Sequence, residues 1–562
     1  MVYRSEGRRY ENKSLKNDYL YGRLIVRETH ATMKILKPFR VVLSLLFFTL
    51  TFWVFVDFNG SLNGSTVRDF LFFQILQSVL QFIQAVSVLS SGFLMVAVVT
   101  ILFGRIYCSS VCPLGTLMDI VFRIKKRICK YRGIPGQKSP VVQYYQYHRT
   151  MTWPVPGFRK VKISNVIRYL VLAAVVLSFL MNSLLLISLL DPFSLAGKMF
   201  FSLFRPMFFI VINLVNEIAP IYGIFIGDPI TFTFRFSSVF LFSLFTLLTI
   251  IFLAWHKGRW YCNVLCPAGT LLGLTSRMSV FRLKISLSEC SRCGKCLQVC
   301  KACCIHPDHY RIDTDRCVSC YNCIHACNDR AIGFSFPRKE KVKKDTFDFS
   351  RRRFIETMVY GIPAFGCLMG FNTLGKHVGA SSANSETEVP LMVLPPATPP
   401  GSISLEHFTG YCTACHLCMS VCPTGVLQPS FLDYGLSGIF QPKMDFHSGF
   451  CHDDCTRCSE VCPTGAIQPL PKEQKKRVRI GKAVFIKNLC IVTAERRNCG
   501  LCAAKCRTKA IALVPYLDNL YLPVVDEAKC TGCGACEFVC PVRRDRAITV
   551  EPLTVHELAV RN

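Results

Sequence analysis

Six compact cysteine quartets constrain this 562-residue chain more than any other feature of its sequence. They are Cys290, Cys293, Cys296 and Cys300; Cys317, Cys320, Cys323 and Cys327; Cys412, Cys415, Cys418 and Cys422; Cys451, Cys455, Cys458 and Cys462; Cys490, Cys499, Cys502 and Cys506; and Cys530, Cys533, Cys536 and Cys540. Steps of two wrap three sulfurs around one small body, and a step of three carries the fourth sulfur elsewhere. This C-x2-C-x2-C-x3-C run holds paired [4Fe-4S] clusters, the fourth thiolate ligating the neighbouring cluster. Disulfide frameworks impose no such fixed spacing. Zinc explains an isolated C-x2-C pair but not quartets in tandem.

In the first two quartets Lys301 and Asn328 stand where proline usually follows the fourth cysteine. The spacing there assigns Cys327 to the cluster of Cys290, Cys293 and Cys296, and Cys300 to that of Cys317, Cys320 and Cys323. Of the last four quartets the outer two keep the standard spacing and the inner two are stretched at their first gap. That symmetry predicts nested pairing: Cys412, Cys415 and Cys418 with Cys540, Cys530, Cys533 and Cys536 with Cys422, and an exchange of Cys462 and Cys506 between the inner quartets.

Apolar residues make up 51% of the chain and their long runs crowd into its first 260 positions. Phe39 to Val56, Gln84 to Phe103, Val166 to Leu190 and Phe236 to Trp255 read as membrane spans. Residues 199–226 are apolar but broken by Arg205, Pro206, Asn213, Asn216, Glu217 and Pro220, and read as re-entrant or interfacial. From Arg123 to Arg168 there are twelve Lys or Arg and no acid, whereas Asp191 to Arg235 holds three of each sign, which places the first loop in the cytoplasm. The net charge of +30 is thereby read as membrane topology, since no basic stripe with stacking aromatics points to nucleic acid.

Two segments of this half repeat each other. GRIYCSSVCPLGTL (104–117) and GRWYCNVLCPAGTL (258–271) agree at nine of fourteen positions. Their cysteines, Cys108, Cys112, Cys262 and Cys266, either converge on a seventh cluster where the repeats meet, or only pack or form a redox disulfide. Cys129, Cys303, Cys304 and Cys367 remain and read as packed thiols. No nucleotide-binding glycine loop is present. His256 reads as interfacial packing, and His416, His447 and His452 as exposed or supporting.

SRRRFIETMVYGIPAFGCLMG (350–370) carries the twin-arginine pattern ahead of an apolar stretch. It predicts a fifth span that hands the last four quartets across the membrane already folded around their clusters. A Ser/Pro-rich linker follows at 381–402. Cleavage near Ala383, lipid attachment at Cys367, or a purely cytoplasmic connector are the alternatives.

With these motifs in view, the first 335 residues resemble the NapH-type membrane polyferredoxins of periplasmic nitrate reduction and the wider NosR/CcoG group. Residues 350–551 resemble the exported NapG and MauM ferredoxin-type proteins, as though two partners were fused. The resemblance implies quinol oxidation, with the quinone pool as donor and a periplasmic reductase or other acceptor as partner, at the bacterial inner membrane. A cytoplasmic ferredoxin or flavoprotein donor, or a CcoG-like role in maturing a metalloenzyme, are the other readings; none makes the chain a stand-alone catalyst. The expected fold is an α-helical membrane domain plus α+β bacterial ferredoxin-type modules, one double and one four-cluster. In order these are a tail (1–38), the membrane domain (39–285), the double module (286–336), the signal segment (337–380), the linker (381–404), the four-cluster module (405–551) and a tail (552–562).

Overall fold

The computed structural model describes residues 33–57, 64–84, 91–131, 165–218, 237–306, 310–335 and 395–559, the last without 518 and 544. The twin-arginine stretch, its apolar continuation, Cys367 and most of the basic loop lie outside the described residues. The main helices of the N-terminal half are α1 (Met33–Val56), α2 (Gly92–Phe103), α3 (Tyr107–Ser110), α4 (Pro113–Tyr131), α5 (Asn165–Leu180), α6 (Pro192–Ile218), α7 (Ser238–Lys257), α8 (Trp260–Val264) and α9 (Pro267–Ser276). Among the described residues, α1, α6 and α7 are long and apolar enough to cross a membrane. Capping sharpens their ends. The Ser237 hydroxyl accepts the Phe240 N–H at the start of α7, His256 and Lys257 favour the negative end of its dipole, and Gly258 at φ +62° stops it.

Two expected spans are shorter than predicted. Helix α2 has 12 residues, about 18 Å of rise, and α5 stops at Leu180 where Asn182 turns left-handed at φ +54° before a short helix at Leu185–Leu190. Over 199–218 the re-entrant reading gives way to a helix continuous from Pro192 to Ile218, and 219–226 lie outside the described residues. Two of its cations have tertiary partners that the sequence does not display. Lys198 Nζ donates to the Ser188 carbonyl at 2.6 Å, and the Arg205 guanidinium lies over the Phe201 and Phe209 rings. One π-helical turn at Phe200–Phe204 stands just before Pro206, where a proline removes an N–H donor from the ladder.

The cysteine-rich parts are built on short antiparallel pairs. β1 (Arg282–Ile285) pairs with β2 (Ile332–Ser335), Leu283 opposite Phe334, and encloses the first two quartets. In the C-terminal module β3 (Leu427–Pro429) pairs with β4 (Pro442–Met444), β5 (Val478–Phe485) with β8 (Ile548–Leu558), and β6 (Ile511–Pro515) with β7 (Tyr521–Val525). Strand β8 runs on beyond residue 551, where His556 N–H donates to the Ile403 carbonyl at 2.7 Å and ties the module's end to its beginning.

These two parts meet opposite ends of the same helices. Val239 and Phe242, near the start of α7, pack with Ala414 and Phe440 of the C-terminal module. Just past the other end, the Arg259 N–H donates to the Lys301 carbonyl of the double module at 2.9 Å. Twenty residues of α7 separate them, about 30 Å of helix. At the double-module end a buried ionic hub holds the parts together. Asp119 of α4 accepts Arg259 at 2.6 Å, Lys301 at 3.0 Å and Arg40 of α1 at 3.1 Å. Lys301 thus replaces the usual proline because its ammonium is the hook that fastens the double module to the membrane helices.

Removing one member of such a hub strands buried charge, at a cost of about 3–5 kcal/mol. Asp119→Ala should therefore expose the 282–335 unit to limited proteolysis in detergent, whereas Lys301→Met, which empties one arm without stranding a carboxylate, should do so less. At the far end, burial holds His556 down at about 4, against an ordinary value of 6.5. The unfolded chain then takes up a proton between pH 6.5 and 4 that the folded module refuses. Stability should fall with pH in that window by at most about 1.4 kcal/mol per unit, and His556→Gln should flatten the profile in a denaturant titration.

Candidate iron-sulfur sites

The two membrane repeats meet as a pseudo-symmetric pair. Cys108, Cys112, Cys262 and Cys266 line one small cavity, with Tyr107, Tyr261 and Pro192 beside them. Each repeat braces the other: Arg105 Nη2 donates to the Cys262 carbonyl at 3.0 Å and Arg259 Nη1 to the Cys108 carbonyl at 2.5 Å. A side chain on Gly115 or Gly269 would strike those same two carbonyls, which is why both repeats carry glycine there. Thr116 and Thr270 hydroxyls return to the Cys112 and Cys266 carbonyls at 3.3 and 3.2 Å. The residues shared by the repeats are therefore the ones that shape the cavity.

The four quartets of standard spacing share one backbone device. Residues three and five of each run turn left-handed: Arg292 and Gly294, Ser319 and Tyr321, Ala414 and His416, Gly532 and Gly534, at φ between +48° and +79°. Non-glycine residues adopt that conformation at a cost of about 1–2 kcal/mol, and strain of this kind collects at functional sites. It wraps the loop so that peptide N–H groups face the sulfurs. A five-residue helix then carries the third cysteine and ends at the fourth, whose extended backbone sends it away. Lys295–Val299 before Cys300, Asn322–Ala326 before Cys327 and Ala535–Val539 before Cys540 all do this. In the third C-terminal quartet the helical turn Ile491–Ala494 fills the long first gap, and Leu501–Lys505 leads to Cys506 in the same way.

In the double module the sulfurs are placed as the expected exchange would need: Cys327 faces Cys290 and Cys296, and Cys300 faces Cys317, Cys320 and Cys323. In the C-terminal module the nested pairing is not. Cys462 faces Cys412, Cys415 and Cys418. Cys422 shares a cavity of about 370 Å³ with Cys451, Cys455 and Cys458. Cys540 shares one of about 340 Å³ with Cys490, Cys499 and Cys502, and Cys506 faces Cys533 and Cys536. Quartets adjacent in the chain pair because the β3–β4 and β6–β7 hairpins between them bring the chain straight back. A stretched first gap alters only a loop and does not choose the partner.

The donor chemistry fits [4Fe-4S] groups. Each site gathers four thiols, none of the described cysteines is in a disulfide, and peptide N–H groups donate to Cys266 Sγ at 3.2 Å and to Cys462 Sγ at 3.4 Å. Burial pushes the Cys412, Cys418 and Cys458 thiols well up, so four thiolates persist together only beside iron's positive charge. Buried cations stand beside these sites, two of them between one site and the next. Arg259 interacts with Cys262 on one side and Cys320 on the other, Lys198 with Cys412 and Cys415, and Lys475 with Cys451, Cys458 and Cys533. Burial opposes the charge of Lys475, yet those facing sulfurs raise its pKa.

His416, read from sequence as exposed or supporting, is buried: Nε2 donates to the Phe440 carbonyl at 2.8 Å, the ring meets Phe201 edge-on, and burial pushes its pKa down to about 3. His447 is exposed, and His256 packs on Phe252. Cys304, read as a packed thiol, instead touches a quartet: its Sγ lies 3.5 Å from Cys300 Sγ. The repeated step of three from Cys300 to Cys304 was the signal in the sequence.

Comparison with known proteins agrees with this chemistry. A 4Fe-4S binding domain family matches residues 85–130 and 239–287, a 4Fe-4S dicluster domain family 495–543, and a second 4Fe-4S binding domain family 406–428. The methylamine utilization ferredoxin-type protein MauM of Methylobacillus flagellatus is 33% identical over 196 residues, 32% of this chain and 82% of that protein. The ferredoxin-type protein NapF of Escherichia coli is 30% identical over 28% of this chain and 86% of its own length, and NapG of the same species 31% identical over 28% and 71%. No solved structure matches.

Alanine variants distinguish adjacent from nested pairing. Cys412→Ala/Cys462→Ala should lose about four irons, no more than either single variant, whereas Cys412→Ala/Cys540→Ala should lose about eight. Iron analysis of the purified protein checks both.

Proposed function

The chain belongs to the family of ferredoxin-type proteins that includes MauM, NapF and NapG, and from that footing we propose that it is a membrane-anchored relay carrying single electrons across the bacterial inner membrane. Iron-sulfur electron transfer is the family's common chemistry. Each [4Fe-4S] group supplies a one-electron redox centre when bound. The chain's own residues provide the holding thiols, the spacing and the charge.

The observation that carries the proposal is the single file of sites. The site of Cys290 adjoins that of Cys317 through the exchanged Cys300 and Cys327. Arg259 connects it to the membrane repeats, whose cavity is lined by Pro192. Five residues along α6, about 8 Å of rise, Gly197 lies so close to the Cys415 carbonyl that no side chain fits between them. The Cys412 and Cys451 sites interlock through Cys422 and Cys462. The Cys451 N–H donates to the Cys533 carbonyl at 2.9 Å, and the Cys530 and Cys490 sites follow. Arg259 and Lys475 favour added negative charge at two of the junctions, and Lys198 favours it beside the Cys412 site.

On this reading the double module is cytoplasmic, the 395–559 module is exported by the twin-arginine segment, quinol or a cytoplasmic donor supplies electrons, and a periplasmic reductase accepts them. Chain order and the modules at opposite ends of α7 support it.

Three outcomes are expected. The holoprotein should hold about 28 irons, seven cubes of four, and about 24 would leave the membrane cavity without one. A reporter fused after Asn562 should read out as periplasmic, and as cytoplasmic once Arg351 and Arg352 are both lysine. A menaquinol analogue should bleach the visible cluster absorbance in isolated membranes; reduction by a low-potential cytoplasmic donor alone would replace quinol as the source.

A further inference from the structure

The second site of the double module has five sulfurs rather than four. Cys304 Sγ lies 3.5 Å from Cys300 Sγ, within hydrogen-bonding reach of Cys317 as well, and its residue is 3% exposed. The chain from Cys300 to Cys304 is folded back on itself to achieve this. Cys303 turns left-handed at φ +50°, and the peptide N–H groups of Ala302, Cys303 and Cys304 are directed at Cys300 Sγ. The Cys304 carbonyl is pinned by the Asp313 N–H at 2.8 Å, and the adjoining Ile305 bridges to Ile312. A thiol serving only as packing has no need to contact two sulfurs of one quartet.

We propose that Cys304 is an alternate ligand at this site, able to take the iron corner held by Cys300. This rests on the reading that the quartet holds a [4Fe-4S] group. The exchange balances without an outside reagent. With a cluster bound, Cys304 would hold the iron corner in place of Cys300, its thiol proton passing to the Cys300 sulfur across their contact, so that one iron–sulfur bond and one S–H bond would each replace another of the same kind. Two electron pairs change partners and no centre is oxidised or reduced. The site is the one beside Arg259 and Lys301, at the passage toward the membrane cavity, so two ligation states there give two settings of the electron's entry to the membrane.

Iron content and the electron paramagnetic resonance of the reduced full-length protein test it, with no electron-transfer assay involved. Cys300→Ala and Cys304→Ala should each retain the full iron of the parent, and Cys300→Ala/Cys304→Ala should lose about four irons, as the control Cys323→Ala does. Loss of the four irons in Cys300→Ala alone overturns the proposal. If Cys300→Ala fails to fold, Cys300→Ser against Cys300→Ser/Cys304→Ala makes the same comparison: loss only in the double variant supports it, and loss in the single variant or retention in both overturns it. A parent protein without iron would refute the relay reading itself, a result distinct from any of these.

Discussion

Bonds from buried cysteine sulfur to iron are the constraint on which the rest of this molecule depends. Four thiols brought together away from water repel one another as thiolates and gain little as neutral groups, so the loops that gather them have no reason to close without a cation at their centre. The left-handed turns at Ser319, Tyr321, Ala414 and His416 are strained for those residues and are held because the wrapped loop serves the sulfurs. Among its described residues the C-terminal module is built on two-stranded ladders and apolar clusters made partly of the cysteines themselves. Its stability is in large part the stability of its metal sites.

Charge is arranged to match. A relay that takes up electrons becomes more negative at each site, and buried negative charge needs a partner. Lys198 and Lys475 are almost wholly buried beside cysteine sulfurs, and Arg259 bridges Asp119 to the membrane cavity. The hub at Asp119 has both roles, fastening the double module to α1 and α4 while placing two cations between two sites. In the proposed relay, docking and electron passage would depend on the same side chains.

The sulfur sites were legible in the sequence because fixed covalent spacing is itself the requirement of the cluster, and the membrane repeat because both copies retain the residues that brace each other, Arg105 and Arg259 among them. Helices α1 and α7 were legible because length and apolarity suffice to describe a span. The pairing of the last four quartets was not, since it is decided by where the hairpins β3–β4 and β6–β7 return the chain and not by the gaps inside a quartet. Helix α6 was misread because Arg205 looks like an interruption until the Phe201 and Phe209 rings are seen to receive it. The same holds for Lys301, which resembles a missing proline until Asp119, far away in sequence, is placed beside it. The twin-arginine pattern at 350–370 is legible as a motif, and what it does lies outside the described residues.

The central claim is one continuous path from the double module, through the membrane cavity, to the C-terminal module. Sealed vesicles displaying the 282–335 unit outward, treated with a membrane-impermeant reductant, test it most directly through the extent of cluster bleaching. The account predicts that the intact chain bleaches throughout, while Cys108→Ala/Cys262→Ala bleaches only at the two sites of the double module. Equal bleaching in both proteins, or an intact chain in which reduction stops at the double module, would contradict it.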